Sequence, residues 1–235
     1  IYSKNFFKQD ILKISTKIVF KNSDFKKKNF EKKIIDLLKK KIIQSKIKNF
    51  ETILIHNYED IKIKNFPFLF HLMKNLKKLG LAKKIGISVY NPKSIVNLDK
   101  KYKIDVVQAP LNLLDRRFMS AEITKLFKKK QIKLQARSIF LQGFLLENEK
   151  IIKKKIKTNK IFSRLFNWCK KNKISRHEAC INFIKSQNSL DSVVIGIENL
   201  DQLKGFLAIF FSKKKKVFPR NIFTNDINII DPRRW

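Results

Sequence analysis

Residues Glu51–Asn91 read ETILIHNYEDIKIKNFPFLFHLMKNLKKLGLAKKIGISVYN. Glu51–His56 is a short β-rich run that ends on a polar residue. From about Pro67 to Leu79 the apolar residues recur with the period of a helix, and Lys84–Tyr90 is β-rich again. Strand, helix and strand in this order make a right-handed βαβ unit, whose two strands lie parallel in one sheet.

The same alternation continues on both sides. Leu12–Val19 reads as a strand and Lys28–Ser45 as a helix. Beyond Asn91 come a short helix near Pro92–Lys100, a strand over Asp105–Leu111, a helix near Ser120–Lys130 and a strand over Lys133–Ser138. A longer connection leads to helices near Asn159–Lys171 and Ser175–Gln187, a strand at Ser192–Ile195 and a helix at Leu200–Phe210. Ser212–Trp235 reads as a C-terminal tail. About six strand–helix units predict one α/β domain over residues 1–235 with a parallel sheet. Alternation alone allows an open doubly wound sheet or a barrel. No GxGxxG follows a strand and no GxxxxGK[ST] occurs, so the main Rossmann and P-loop signals are missing.

Polar residues gather at the carboxyl ends of the strands. Lys17 follows Ile14-Ser15-Thr16, and His56 follows Ile53-Leu54-Ile55. Ser88 follows Ile85-Gly86-Ile87, and Gln108 follows Val106-Val107. Arg137 and Ser138 follow Leu134-Gln135-Ala136. In a parallel barrel these ends share one mouth, where such groups form an active site. An ammonium at Lys17 would stabilise a neighbouring phenolate and make a tyrosine a competent proton donor near neutral pH. A neutral imidazole at His56 can donate a hydrogen bond to a carbonyl oxygen and aim it. His71 and His177 lie in helices without such context and read as structural.

The 235 residues are 43% hydrophobic, which fits a globular chain. No apolar run reaches 18 residues, so no membrane partner is expected. Cys169 and Cys180 have no CxxC or Cys/His company, which predicts two reduced thiols and no metal. Sparse cysteine and the lack of a leader pattern place the chain in the cytoplasm. Lys and Arg number 54 against 19 Asp and Glu, a net charge of +35. These charges are spread among Ile, Phe and Asn along the whole chain, as in Glu31–Lys41 and Lys125–Lys133, and read as compositional bias with a solvated basic shell. A polyanion-binding surface is the competing reading. No RNP-like motif, zinc finger or helix-turn-helix supports it, so no nucleic-acid partner is expected.

Taken in order, several blocks resemble those of the aldo-keto reductases. They are Ile14-Ser-Thr-Lys17, Ile53-Leu-Ile-His56, Ile85-Gly-Ile-Ser88 and Val107-Gln108 running into Asn112-Leu-Leu-Asp-Arg116. Further along come Ala136-Arg-Ser138, Leu141-Gln-Gly143 and Val194-Ile-Gly196 through Gln202-Leu203. Asn112–Arg116 and Leu141–Gly143 are the strongest. The resemblance implies a parallel (β/α)8 TIM barrel that reduces an aldehyde, ketone or sugar-like carbonyl to an alcohol with NADP(H). It assigns Lys17 and His56 to catalysis, Ser88 and Gln108 to the nicotinamide, and Ser138 and Gln142 to the pyrophosphate. Gly196–Gln202 would meet the adenosine end. Val89 stands where many members have an Asn, and Arg137 where many have a Tyr stacked on the nicotinamide.

The family's other two catalytic residues, an Asp and a Tyr, would precede Lys17 by more than the 16 residues present. The chain opens on Ile1 and is expected to be a fragment holding about strands 3–8, and Tyr2 is a poor match for the missing acid. A non-catalytic nicotinamide-binding protein of the same fold is the alternative reading. The lysines of the Leu145–Lys160 connection suggest an anionic substrate, and the oligomeric state is not legible.

Overall fold

The computed structural model describes residues 13–96, 98, 102–155, 160–213 and 217–235. Leu12, Lys100 and Asn159, which end three expected elements, lie outside the described residues, as do Ile1 and Tyr2. Among the described residues, six parallel strands form one sheet: β1 (Ser15–Ile18), β2 (Phe50–Ile55), β3 (Ala82–Ser88), β4 (Val106–Pro110), β5 (Lys133–Arg137) and β6 (Leu190–Val193). Their order in the sheet is their order in the chain. A doubly wound sheet reverses direction at a switch point, whereas a barrel adds each strand beside the last. The topology is therefore of the TIM-barrel type.

The helices are α1 (Phe30–Gln44), α2 (Phe66–Lys78), α3 (Lys93–Val96), α4 (Ala121–Lys130), α5 (Glu149–Lys155), α6 (Lys160–Lys171), α7 (Arg176–Lys185), α8 (Leu200–Phe211) and α9 (Ile227–Ile230). The chain falls into two compact units, one running to Gln108 and the other from Ala109 to Trp235. No helix among the described residues is long and apolar enough to cross a membrane.

In the first unit, β2 is nearly all buried, and its second half, Ile53-Leu54-Ile55, is wholly apolar, as a strand covered on both faces must be. α2 buries Leu69, Phe70, Leu72, Met73 and Leu76, which fall on one face of a 3.6-residue repeat. Pro67 sits in its first turn, and Gly80 at φ +71° follows its end, where a left-handed residue closes the last turn.

The second unit has its own core, which includes Leu113, Leu114, Leu145, Phe162, Leu165 and Phe183. Ser120 caps α4 and Ser175 caps α7, each by accepting a backbone N–H three residues on. Cys169 and Cys180 are free and buried, and burial raises both thiols above their ordinary pKa.

Two segments differ from expectation. The Leu145–Lys160 connection contains α5, whose lysines mask an amphipathic turn that buries Ile152. The expected tail carries α9 and packs Ile222, Ile229 and Ile230 into the core of the second unit. Arg116 holds it there. Its guanidinium donates to the carbonyls of Pro219 (2.7 Å), Arg220 (2.6 Å) and Ile222 (3.5 Å), and its Nε to Leu113 O at 3.0 Å. The same group lies over the rings of Phe183 and Phe223, at 4.7 and 5.1 Å. Burial pulls its pKa down to about 10, still charged at neutral pH.

Two outcomes follow. A Cβ on Gly86 would lie 2.2 Å from the Val106 carbonyl oxygen and 2.8 Å from Leu54 Cδ2. Gly86→Ala should therefore cost about 3 kcal/mol, read from the urea midpoint; an unchanged midpoint would show that the ladder can yield. Arg116→Met should cost about 3 kcal/mol and speed amide exchange over Val217–Phe223. Unaltered exchange there would mean that the apolar contacts alone dock the segment.

Candidate active site and cofactor cleft

In the first unit, the parallel register brings the polar strand ends into line. Lys17 of β1 pairs with Leu54 of β2, and Ile55 pairs with both Ile18 and Ile87. His56 follows at once, its backbone N–H donating to Ile18 O at 2.8 Å. Ser88 closes β3 opposite Gln108 of β4, and Val89 N–H continues the ladder to Gln108 O at 3.0 Å. Lys17 and His56 are exposed, whereas Ser88 and Gln108 are buried. The Val89 side chain is fully buried, and it has no polar group to offer a ligand.

Asn57 is not among the residues the sequence marks as functional, yet it fixes this end of the unit. Its side-chain amide donates to Phe20 O (2.8 Å) and its Oδ1 accepts from Phe20 N–H (3.1 Å). This two-point clamp joins the segment leaving β1, which carries Lys17, to the turn leaving β2, which carries His56. An Asn directly after a strand-end His was the available signal.

In the second unit, a cleft of about 570 Å³ lies among three segments. Ser138, Gln142 and Gly143 come from the turns after β5, Gly196 and Glu198 from the segment after β6, and Asp201, Gln202 and Phe206 from α8. Four of the residues assigned by resemblance, Ser138, Gln142, Gly196 and Gln202, thus share one wall. Arg137 is not on it: the side chain is half-buried at the end of β5, with Nη1 3.4 Å from Ser138 Oγ.

The turns after β5 have an unusual backbone. Ser138, Leu141, Gln142 and Gly143 all have φ between +50° and +83°. Among the described residues, the amides of Gln142 and Gly143 make no backbone hydrogen bond, so both remain as donors beside the Ser138 hydroxyl. Hydroxyl and amide donors at the mouth of a cleft this size suit the oxygens of a dinucleotide. Asn199 caps α8 by accepting from Gln202 N–H at 2.9 Å, which sets the cleft at that helix's amino end.

His177, read from sequence as structural, also lines the cleft. Its ring packs on Phe140 with centroids 5.1 Å apart, and burial lowers its pKa below the ordinary imidazole value. Its helical position gave no signal because the cleft wall forms only when α7 meets the turns after β5. Among the described residues, no cluster of His, Cys, Asp and Glu could hold a metal ion.

The model of the aldo/keto reductase family matches residues 2–220. An aldo-keto reductase of Bacillus halodurans superposes with a TM-score of 0.68 in its apo form and 0.63 in its holo form, at 16% and 15% identity. Each match covers 87% of this chain and 68% of the other. A thermostable aldo-keto reductase in complex with the inhibitor epalrestat gives 0.65 at 14% identity, covering 91% and 70%. No curated protein sequence matches significantly. A family match over nearly the whole chain, with the fold of solved members beneath it, establishes that the chain belongs to the aldo/keto reductase family.

Proposed function

We propose that the cleft of the second unit holds a nicotinamide dinucleotide and that Lys17 and His56 serve the reduction of a carbonyl to an alcohol. Family membership makes the chain an oxidoreductase of the kind that reduces small carbonyl compounds with a nicotinamide cofactor. One observation carries the finer reading: Ser138, Gln142, Gly196 and Gln202, assigned from separate blocks of sequence, come together in one cleft.

When bound, the cofactor supplies the hydride. The chain's own residues bind and orient. Ser138 Oγ–H and the amides of Gln142 and Gly143 would donate to the pyrophosphate. Ser88 and Gln108, adjacent by register, would hold the carboxamide. Arg137 would present its guanidinium plane toward the nicotinamide. His56 would donate to the carbonyl oxygen of the substrate, and the Lys17 ammonium would lower the pKa of the acid that protonates the same oxygen. None of the described residues is assigned as that acid.

NADP(H), implied by the resemblance, asks for a cation at the 2′-phosphate. Among the described residues the cleft wall supplies none, and the proposal covers the nicotinamide dinucleotides as a class. The exposed Lys150 and Lys154 of α5 suggest an anionic compound among the aldehydes, ketones and sugar-like carbonyls the resemblance implies.

Titration calorimetry should show one dinucleotide bound per chain. Gln142→Ala combined with Ser138→Ala should weaken it by roughly tenfold. In a protein that includes the acid, Lys17→Met should lower kcat by roughly two orders of magnitude or more while leaving dinucleotide affinity unchanged. Absence of binding to a folded chain would end the cofactor reading. Binding with Lys17→Met at full kcat would end the catalytic one and favour the non-catalytic alternative.

A further inference from the structure

We propose that the cleft selects NAD(H) over NADP(H), with Glu198 and Asp201 as the discriminating residues. The inference rests on reading this cleft as the site of the dinucleotide's adenosine end.

The wall contains Glu198 and Asp201 and, among the described residues, no Lys or Arg. Basic residues outnumber acidic ones by 54 to 19 in this chain, so a random patch of its surface would be basic. Lys204, the nearest cation in sequence, is exposed on α8 and is not part of the wall. The acidic loop is also braced. Glu198 N–H donates to Gln202 Oε1 at 3.0 Å, and Gln202 Nε2 lies 3.4 Å from Glu198 Oε2. The carboxylate is therefore held beside the cap of α8.

Charge and hydrogen bonding point the same way. The amino end of α8 contributes roughly half a positive charge, against two full negative ones. A 2′-phosphate brings roughly one and a half to two further negative charges. It would meet carboxylates that can only accept hydrogen bonds. A free 2′-hydroxyl can donate to such a carboxylate, the pairing by which other dinucleotide folds recognise the unphosphorylated ribose. Both carboxylates are exposed, so solvent moderates the repulsion without reversing it.

The test is calorimetric titration of the full chain with NAD⁺ and NADP⁺ separately, at constant ionic strength. NAD⁺ should bind tighter by roughly tenfold to a hundredfold. Glu198→Arg should raise NADP⁺ affinity by roughly tenfold and change NAD⁺ affinity much less, and Asp201→Asn should move it the same way to a smaller extent. Tighter or equal binding of NADP⁺ to the unaltered chain would overturn the selection while leaving the cofactor reading in place. Binding of neither dinucleotide, with a native circular dichroism spectrum, would overturn both.

Discussion

A single register constrains the first unit. In a parallel sheet all carboxyl ends lie along one edge, and the pairing of neighbours decides which side chains share it. The pairs Ile18–Ile55, Ile55–Ile87 and Ser88–Gln108 place Lys17, His56, Ser88 and Gln108 within about one residue of a common level. A slip by one residue would turn each of them to the opposite face. Gly86 guards against the slip by letting the Val106 carbonyl come closer than any side chain permits. Asn57 does the same beyond the strand ends, where no ladder remains to hold them.

The second unit depends on a knot of buried polar groups, Asn112–Arg117. Asn112 Oδ1 accepts from the amides of Leu114 and Asp115, at 3.0 and 2.9 Å, and Asn112 Nδ2 donates to Ser138 O at 3.2 Å. Arg117 grips the buried Asp115 carboxylate with Nε and Nη2, at 2.9 and 2.8 Å. Arg116 reaches the other way, to the carbonyls of the C-terminal segment. A planar, five-donor cation suits this work, and a lysine could not reproduce the fork. The knot does no chemistry itself. Through Asn112 it holds the residue at which the backbone turns left-handed and opens the cleft, so the motif most specific to the family is the cleft's foundation.

The α/β class, the order of units and most element centres were legible because short runs rich in Ile, Val and Leu alternate with longer segments of helical period. His56 stood out because it ends the apolar run Ile53-Leu54-Ile55, whereas Lys17, after Ser15 and Thr16 and before Ile18, was marked chiefly by its block in the family resemblance. The docking of Val217–Trp235 was hidden because its hold comes from Arg116, a hundred residues upstream, through backbone carbonyls that leave no trace in sequence. α5 was hidden by its lysines. The cleft itself could be assigned only residue by residue through resemblance. Its wall draws on the turns after β5, the segment after β6 and α8, and on His177, and only the fold unites them.

The charge of the chain acts at two ranges. A net +35 attracts any polyanion at a distance, but salt screens that field beyond about 8–10 Å. It therefore speeds the approach of NAD(H) and NADP(H) alike and cannot choose between them. Choice is made at contact, where the nearest groups outweigh the average. At the amino end of α8 those groups are Glu198 and Asp201, held there by the Asn199 cap and the Gln202 brace. A protein this basic that keeps two carboxylates at the rim of a dinucleotide-sized cleft has separated attraction from selection. If the cleft holds a dinucleotide as proposed, the dispersed lysines govern encounter, and the two acidic side chains govern which cofactor stays.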